Sequence, residues 1–518
     1  MASRTKNATR NIIFGILLKI YQIIIPFIMR TAMIYFMGVQ YLGLNGLFGS
    51  VLQVLNLAEL GVGSAMVYSM YKPIVENDSI RICALMRLYQ NYYRVIGLVV
   101  AGLGLLLFPF IPRLIHSDLP PDVNVYVLYL LYLTATVFSY WMFAYKSSLI
   151  QAHQRNDIIS KVTIALSSFQ YISQLIVLVF LKNYYLFVVV VLVTQILTNV
   201  VTAIIASRLY PDYKPIGELP PKEKRQINQR IKDLFTAKVG AVVVNSADTI
   251  VISAFLGLRI LSIYQNYFFI LSAVIGVVEV AFSACAAGIG NSIIVESKDK
   301  NYKDLRKFTL IIAWIAGFCA TCFLCLFQPF MILWVGEELL LEMPAVICLC
   351  IYFFVYEMNR VLNTYKDSGG IWHVDRFRAL VTALANLCMN LIMVQYWGIY
   401  GVLLSTVISM LFIGMPWLLH NLFTMLFEKN YARGYILQLI YYSIITLIVA
   451  AATYFACTLI HVGNTITFVL RVAICVVIPN SLFLIIYRQM PDFKDAVLLV
   501  NHVTKGKLKL TRFTGERG

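Results

Sequence analysis

NIIFGILLKIYQIIIPFIMRTAMIYFM, residues 11–37, is an apolar run interrupted by only two charges, Lys19 and Arg30. A helix of about 20 apolar residues crosses a hydrocarbon core, so the run reads as a membrane span. Arg4, Lys6 and Arg10 stand just ahead of it. Working outward, thirteen further runs follow, near 43–71, 91–112, 123–145, 158–181, 184–206, 234–257, 261–290, 308–334, 344–365, 379–397, 399–427, 435–460 and 466–487. Of the 42 Lys and Arg residues, only Arg113, Lys182 and Arg259 fall in odd-numbered connectors. Five more (Lys19, Arg30, Lys238, Arg360, Arg471) lie inside runs, and the rest gather in the N-terminus, the even-numbered connectors and the tail. The positive-inside rule converts that asymmetry into a topology of fourteen spans with both termini cytoplasmic.

Hydrophobic residues make up 60% of the 518 and charged ones 13%, a balance that excludes a soluble globular class. The net charge of +17 is spread over connectors and tail, where it sets orientation and draws anionic lipid headgroups rather than nucleic acid. The first run is too long for a cleavable signal peptide and lacks a small-residue cleavage site. Cys319, Cys322 and Cys325 sit mid-span at helical spacing with no fourth sulfur nearby in sequence, so they read as small apolar residues and no metal is expected. The six histidines show no metal-binding spacing. The stretch 78–94 reads as span three continued into the cytosol, and the tyrosines at span ends read as interfacial belts.

The halves resemble each other at an offset of 219–220 residues: Lys19 and Gly38 fall on Lys238 and Gly257, Arg87 on Lys307, Pro109 on Pro329, Tyr145-Lys146 on Tyr365-Lys366, and His153 on His373. Glu59 lands beside Glu279. The expected organisation is an all-α polytopic protein of two six-helix lobes, 1–206 and 234–427, joined by a basic linker, 207–233. A helix pair at 428–487 and a basic cytoplasmic tail at 488–518 follow. An even number of spans per half gives parallel repeats related by an axis along the membrane normal.

Charges at mid-bilayer cost about 2.5–3.5 kcal/mol each on insertion scales, so those present need a reason. Lys19, Pro26 and Arg30 share one face of span one. Gln53, Asn56 and Glu59 lie in span two, Lys238, Asn245, Ser246 and Asp248 in span seven, and Glu279 in span eight. Glu357 and Arg360 have the i,i+3 spacing of an intrahelical pair, and Arg471 near the start of span fourteen is placed to snorkel. Arg30, Glu59, Asp248 and Glu279 fall in matching helices of the two halves and are expected to line a hydrated cavity.

The basic N-terminus running into span one, LNLAELGVGSAM (Leu55–Met66), NSADTIVIS (Asn245–Ser253), the six-plus-six repeat and the extra helix pair together resemble a Wzx-type polysaccharide flippase of the multidrug/oligosaccharidyl-lipid/polysaccharide (MOP) transporter superfamily. The resemblance spans the whole chain. It implies a MATE-like V of two lobes in the bacterial cytoplasmic membrane. The implied cargo is an undecaprenyl-diphosphate-linked oligosaccharide for capsule, O-antigen or exopolysaccharide assembly, with a polysaccharide polymerase and glycosyltransferases as partners. No cofactor is expected beyond H⁺ or Na⁺ as coupling ion. On this reading Arg30, Lys19 and Lys238 attract the diphosphate, Gln53, Asn56 and Asn245 meet sugar hydroxyls, and Glu59, Asp248 and Glu279 bind the coupling ion. Lipid II flippases of the same superfamily imply a tail groove at 435–487. Cation-coupled drug efflux is the main rival. An embedded glycan enzyme ranks last, because the outer loops are short and no DxD, nucleophile elbow or phosphate-cradling loop is present.

Overall fold

The computed structural model describes residues 2–116, 119–460 and 463–503, less a few helical side chains that include Lys238 and Asn245. Among the described residues every regular element is a helix. The chain divides into two compact units, Met1–Ser262 and Ile263–Gly518. The first contains α1 (Ala2–Phe36), α2 (Val39–Leu55), α3 (Val62–Val75), α4 (Ser79–Leu107), α5 (Val125–Trp141), α6 (Ser147–Ala152), α7 (Asn156–Ile176), α8 (Tyr184–Leu209) and α9 (Pro221–Leu256). α10 (Leu258–Val295) leads into the second, which holds α11 (Lys298–Val335), α12 (Met343–Ser368), α13 (Arg378–Ile408), α14 (Met415–Met425), α15 (Tyr431–Thr458), α16 (Asn464–Tyr487) and α17 (Phe493–Val503).

Among the described residues eleven segments are long and apolar enough to cross a bilayer, or twelve if the pair Val125–Trp141 and Ala144–Ala152, bent by 49°, is one span. One of the eleven, Arg378–Met425, covers two predicted spans that reverse at Gly398, where φ is +54° and only glycine is at ease. The shorter apolar stretch Val242–Leu256 ends α9. A count of fourteen is compatible with this arrangement, and the chain is a multi-pass membrane protein.

Four departures from the sequence reading have local causes. Span two is broken at Asn56–Gly61, described below. Span four bends after Trp141, where Phe143 adopts φ +59°. The basic linker is a loop only to Pro220, because Pro221 occupies the first helical position of α9 and its fixed φ suits that site. In the tail, residues 493–503 form α17, tied to α11 by Arg306–Asp492 (2.8 Å) and Lys307–Asp495 (3.4 Å), with Phe493 buried. As expected, α4 carries span three on from Ser79 without a break, its first turn capped by Asp78, which accepts from the Arg81 N–H at 3.0 Å.

In the first unit α1 lies along α7. Asn11 donates to the Gln154 carbonyl (2.9 Å) and accepts from the Asp157 N–H (2.9 Å), while Arg10 pairs with Asp157. In the second unit α11 is the hub, packing on α12, α15 and α16. Buried Ala313, Ala316, Gly317 and Ala320 let those helices approach closely; a Cβ on Gly317 would meet the Phe483 ring at 2.8 Å and Thr446 Oγ1 at 2.9 Å.

Candidate functional site

The break in span two gathers a cluster of polar side chains in the first unit. α2 stops at Leu55, Asn56–Glu59 form a single tight turn, and α3 restarts at Val62. Gly61 makes the restart possible, sitting at φ +85° in the left-handed region. It also has no room for a side chain. A Cβ there would lie 2.7 Å from Leu234 Cβ and 3.0 Å from the Ile231 carbonyl oxygen of α9. Irregular backbone inside a membrane is tolerated only where protein buries it or water reaches it. Broken helices of this kind hold the binding sites of many transporters.

Three tyrosines close around the break. Tyr93 donates to Glu59 Oε1, Tyr89 donates to the Tyr93 oxygen at 3.1 Å, and Tyr140 donates to Asn56 Oδ1 at 2.8 Å. The Tyr89 and Tyr93 rings meet edge to face at 4.7 Å, with Tyr140 5.7 Å beyond. Glu59 is half-buried, its carboxylate is held by a phenol among the described side chains, and the hydroxyls lead away from it in series. That arrangement can take up a proton or a small cation and lead a proton along the chain of O–H groups. On α9, fully buried Ser246 donates to Gln53 Oε1 at 3.3 Å, and buried Asp248 and Thr249 follow.

The predicted residues therefore separate into groups. Gln53, Asn56 and Glu59 belong to one polar patch with Ser246. Asp248 is buried near it in sequence and is engaged by its surroundings. Lys19 is half-buried on α1; Arg30 is half-buried and engaged as well. Lys238 and Asn245 lie outside the described side chains. Glu279, exposed on α10, belongs to the second unit. There it stands near the Glu357–Arg360 pair, which forms within α12 as the spacing predicts. Arg360 reaches Glu357 Oε2 at 2.7 Å and Oε1 at 3.2 Å, and also donates to the Ile275 carbonyl at 3.4 Å.

Two features of the second unit had no counterpart in the sequence reading, and a third overlaps only in part the tail groove that the resemblance implies at 435–487. Beside Arg360 is a polar cavity of about 290 Å³, lined by Tyr356, Asn359, Asn363, Arg378 and Thr382. Arg378 is clamped there by Asp375 (2.7 and 2.9 Å) and Asn363 (3.0 Å). Deeper in the unit, Asn386 donates to Thr406 Oγ1 at 2.9 Å and Ser405 donates to Asn390, joining the two arms on either side of Gly398. The four-residue spacing of the asparagines was the available signal. The third feature is an apolar groove of about 830 Å³ between α12, the α13–α14 region and α15. Its walls include Phe354, Leu419, Ile436 and Ile440, with Lys429 and His420 also among the lining side chains.

Comparison with known proteins adds the fold relationship. No family model matches the chain and no curated relative does. Among solved structures it is similar to the lipid II flippase MurJ in an inward closed conformation (TM-score 0.69, 15% identity, 92% of this chain and 99% of that one). It is also similar to an inward-facing multidrug resistance MATE family transporter of the MOP superfamily (TM-score 0.52, 13% identity, 77% and 93%). A MOP superfamily transporter from Pyrococcus furiosus gives TM-score 0.52 at 12% identity over 82% of this chain and 97% of that one. The fold is thus of the MOP/MATE type, shared with transporters and flippases.

Proposed function

We propose that this protein is a flippase that carries a polyprenyl-diphosphate-linked oligosaccharide, undecaprenyl-linked in a bacterial membrane, from the inner to the outer leaflet by alternating access. The observation that carries the reading is the groove against α15. It is lined mainly by apolar side chains, with Lys429 and His420 among them, which suits a hydrocarbon tail attached to an anionic head. A diphosphate and sugars are costly to place in hydrocarbon, so the head needs a separate polar route. Gln53, Asn56 and Ser246 supply hydrogen-bonding groups for such a route, with Arg30 and Lys19 on α1 as the cations for the diphosphate. Glu59 is the preferred coupling carboxylate, because its phenol partners offer a proton path; moving one charge down 100 mV supplies roughly 2.3 kcal/mol.

Drug efflux of the MATE kind is the second reading, favoured by the shared fold, but it leaves the α15 groove without a task. Deleting the gene and extracting membrane lipids separates the two. Accumulation of one undecaprenyl-linked oligosaccharide supports the flippase, and its glycan tells a lipid II cargo from a polysaccharide repeat unit. An unchanged lipid profile with lost drug tolerance removes the flippase reading. Filling the groove with Ile440→Trp should block lipid transport and leave drug efflux untouched.

A further inference from the structure

The sulfur residues of the second unit converge. Cys325 of α11, Cys457 of α15 and Cys475 of α16 are 2%, 1% and 1% exposed, and their Sγ atoms lie within 4.8 Å of one another. Cys322, one turn before Cys325, packs against the same cluster and hydrogen-bonds with Cys475. The fourth sulfur that sequence spacing did not supply thus comes from folding: two thiols of α11 meet one each from helices about 130–150 residues further along. All are thiols, none is bonded to another, and no carboxylate or imidazole joins the group among the described residues.

A second observation concerns charge. Arg471 stands one turn before Cys475 and acts electrostatically on Cys475 and Cys457. Its Nε is buried with no hydrogen-bond partner among the described residues, so snorkelling does not account for the whole side chain. A cation beside thiols that carry no negative charge is a costly arrangement in an apolar setting. It becomes reasonable if the sulfurs carry one.

We propose that Cys325, Cys457 and Cys475, with Cys322 packed beside them, form a buried binding site for a thiophilic d¹⁰ cation, Cu(I) or Zn(II). Soft thiolates select these ions. Metal–sulfur bonds of roughly 2.3 Å require the Sγ atoms to close by about an ångström or less. Binding of Zn(II) releases three thiol protons to water and binding of Cu(I) releases two. A divalent ion on three thiolates carries one net negative charge, as does a monovalent ion on two thiolates and a thiol; the Arg471 guanidinium offsets either. Such an ion would staple α15 and α16 to α11, and the inference is independent of what the protein transports.

The test uses the full chain in detergent, reduced, stripped with chelator, then titrated anaerobically with Cu(I) and separately with Zn(II) against competing chelators. The expected result is one ion per chain for at least one metal. Cys325→Ser, Cys457→Ser and Cys475→Ser should each weaken it about a hundredfold or more, and Arg471→Gln about tenfold. Cys285→Ser and Cys388→Ser should leave it unchanged. Should the serine variants fail to fold, alkylation of the wild-type chain answers instead: the ion must shield Cys322, Cys325, Cys457 and Cys475 and leave Cys388 reactive. Failure to retain either ion, retention that the serine variants do not alter, or a disulfide among these residues in the purified protein overturns the site.

Discussion

Replacing Gly61 by alanine tests whether the break in span two is built into the fold. Two costs add. A residue with a Cβ at φ +85° pays for the left-handed backbone, roughly 1–2 kcal/mol. The new methyl group would also stand 2.7 Å from Leu234 Cβ, 3.0 Å from the Ile231 oxygen and 3.2 Å from the Phe235 nitrogen. Two of those three atoms are helix backbone, which cannot swing aside, so overpacking adds about 1–3 kcal/mol. The expected destabilisation is about 2–5 kcal/mol in total. Gly63→Ala is the control. Its Cβ meets only the Tyr89 hydroxyl, at 3.1 Å, a single side-chain contact that a small shift relieves. Inside a helix that change gains roughly 0.5–1 kcal/mol. Fluorescence-monitored thermal unfolding of both variants in the same detergent reads the difference. Gly61→Ala should unfold well below the wild type and Gly63→Ala at or above it. If Gly61→Ala is as stable as the wild type, the tight packing of the break on α9 is refuted.

Three further outcomes follow from the same geometry. Glu357→Leu leaves Arg360 without its carboxylate in a buried setting and should cost about 3–5 kcal/mol, whereas Glu357→Leu with Arg360→Leu should recover most of it; a thermal double-mutant cycle reads the coupling. Glu59→Gln keeps the Tyr93 contact in shape but not in charge. Transport by reconstituted protein should lose its dependence on an imposed pH or Na⁺ gradient, while gradient-sensitive, equally fast transport would make Glu59 structural. His153 lies in the connector after α6, stacked on Tyr210 at 4.1 Å and donating through Nδ1 to the Leu149 carbonyl at 2.9 Å. Burial holds its pKa below the ordinary histidine value, with the Leu149 bond opposing. The unfolded chain therefore binds the proton first, so stability is full above pH about 6.5 and falls as pH drops through the lowered folded-state value. His153→Phe should flatten that acid limb in pH-dependent unfolding.

What could be seen in the sequence was whatever depends on neighbours along the chain. Apolar runs of span length, the reversal at Gly398 and the Glu357–Arg360 pair are all of that kind. The break at Asn56–Gly61 was concealed because its flanks are as apolar as any span, although an asparagine and two glycines within eight residues were a usable sign. Contacts between distant helices were not legible at all. Nothing near Cys322 and Cys325 announces Cys457 or Cys475, and nothing near Glu59 announces Tyr93 and Tyr140 as its enclosure. The groove likewise depends on how α15 lies against α11 and α14, which no local pattern encodes.

α9 continues without interruption from Pro221 to Leu256. At 1.5 Å per residue it is a rod of roughly 54 Å, well over the thickness of a hydrocarbon core. Its lysine- and arginine-rich beginning is fastened by Arg81–Glu223 (2.9 Å) and by Arg230, which donates to Ser69 at 3.2 Å and lies over the Tyr68 ring at 4.2 Å. A lever with no joint conveys a push from one end to the other. The charged segment 222–232 is thus joined by unbroken helix to the turns that carry buried Ser246 and Asp248, a direct mechanical connection between an exposed end and an interior one.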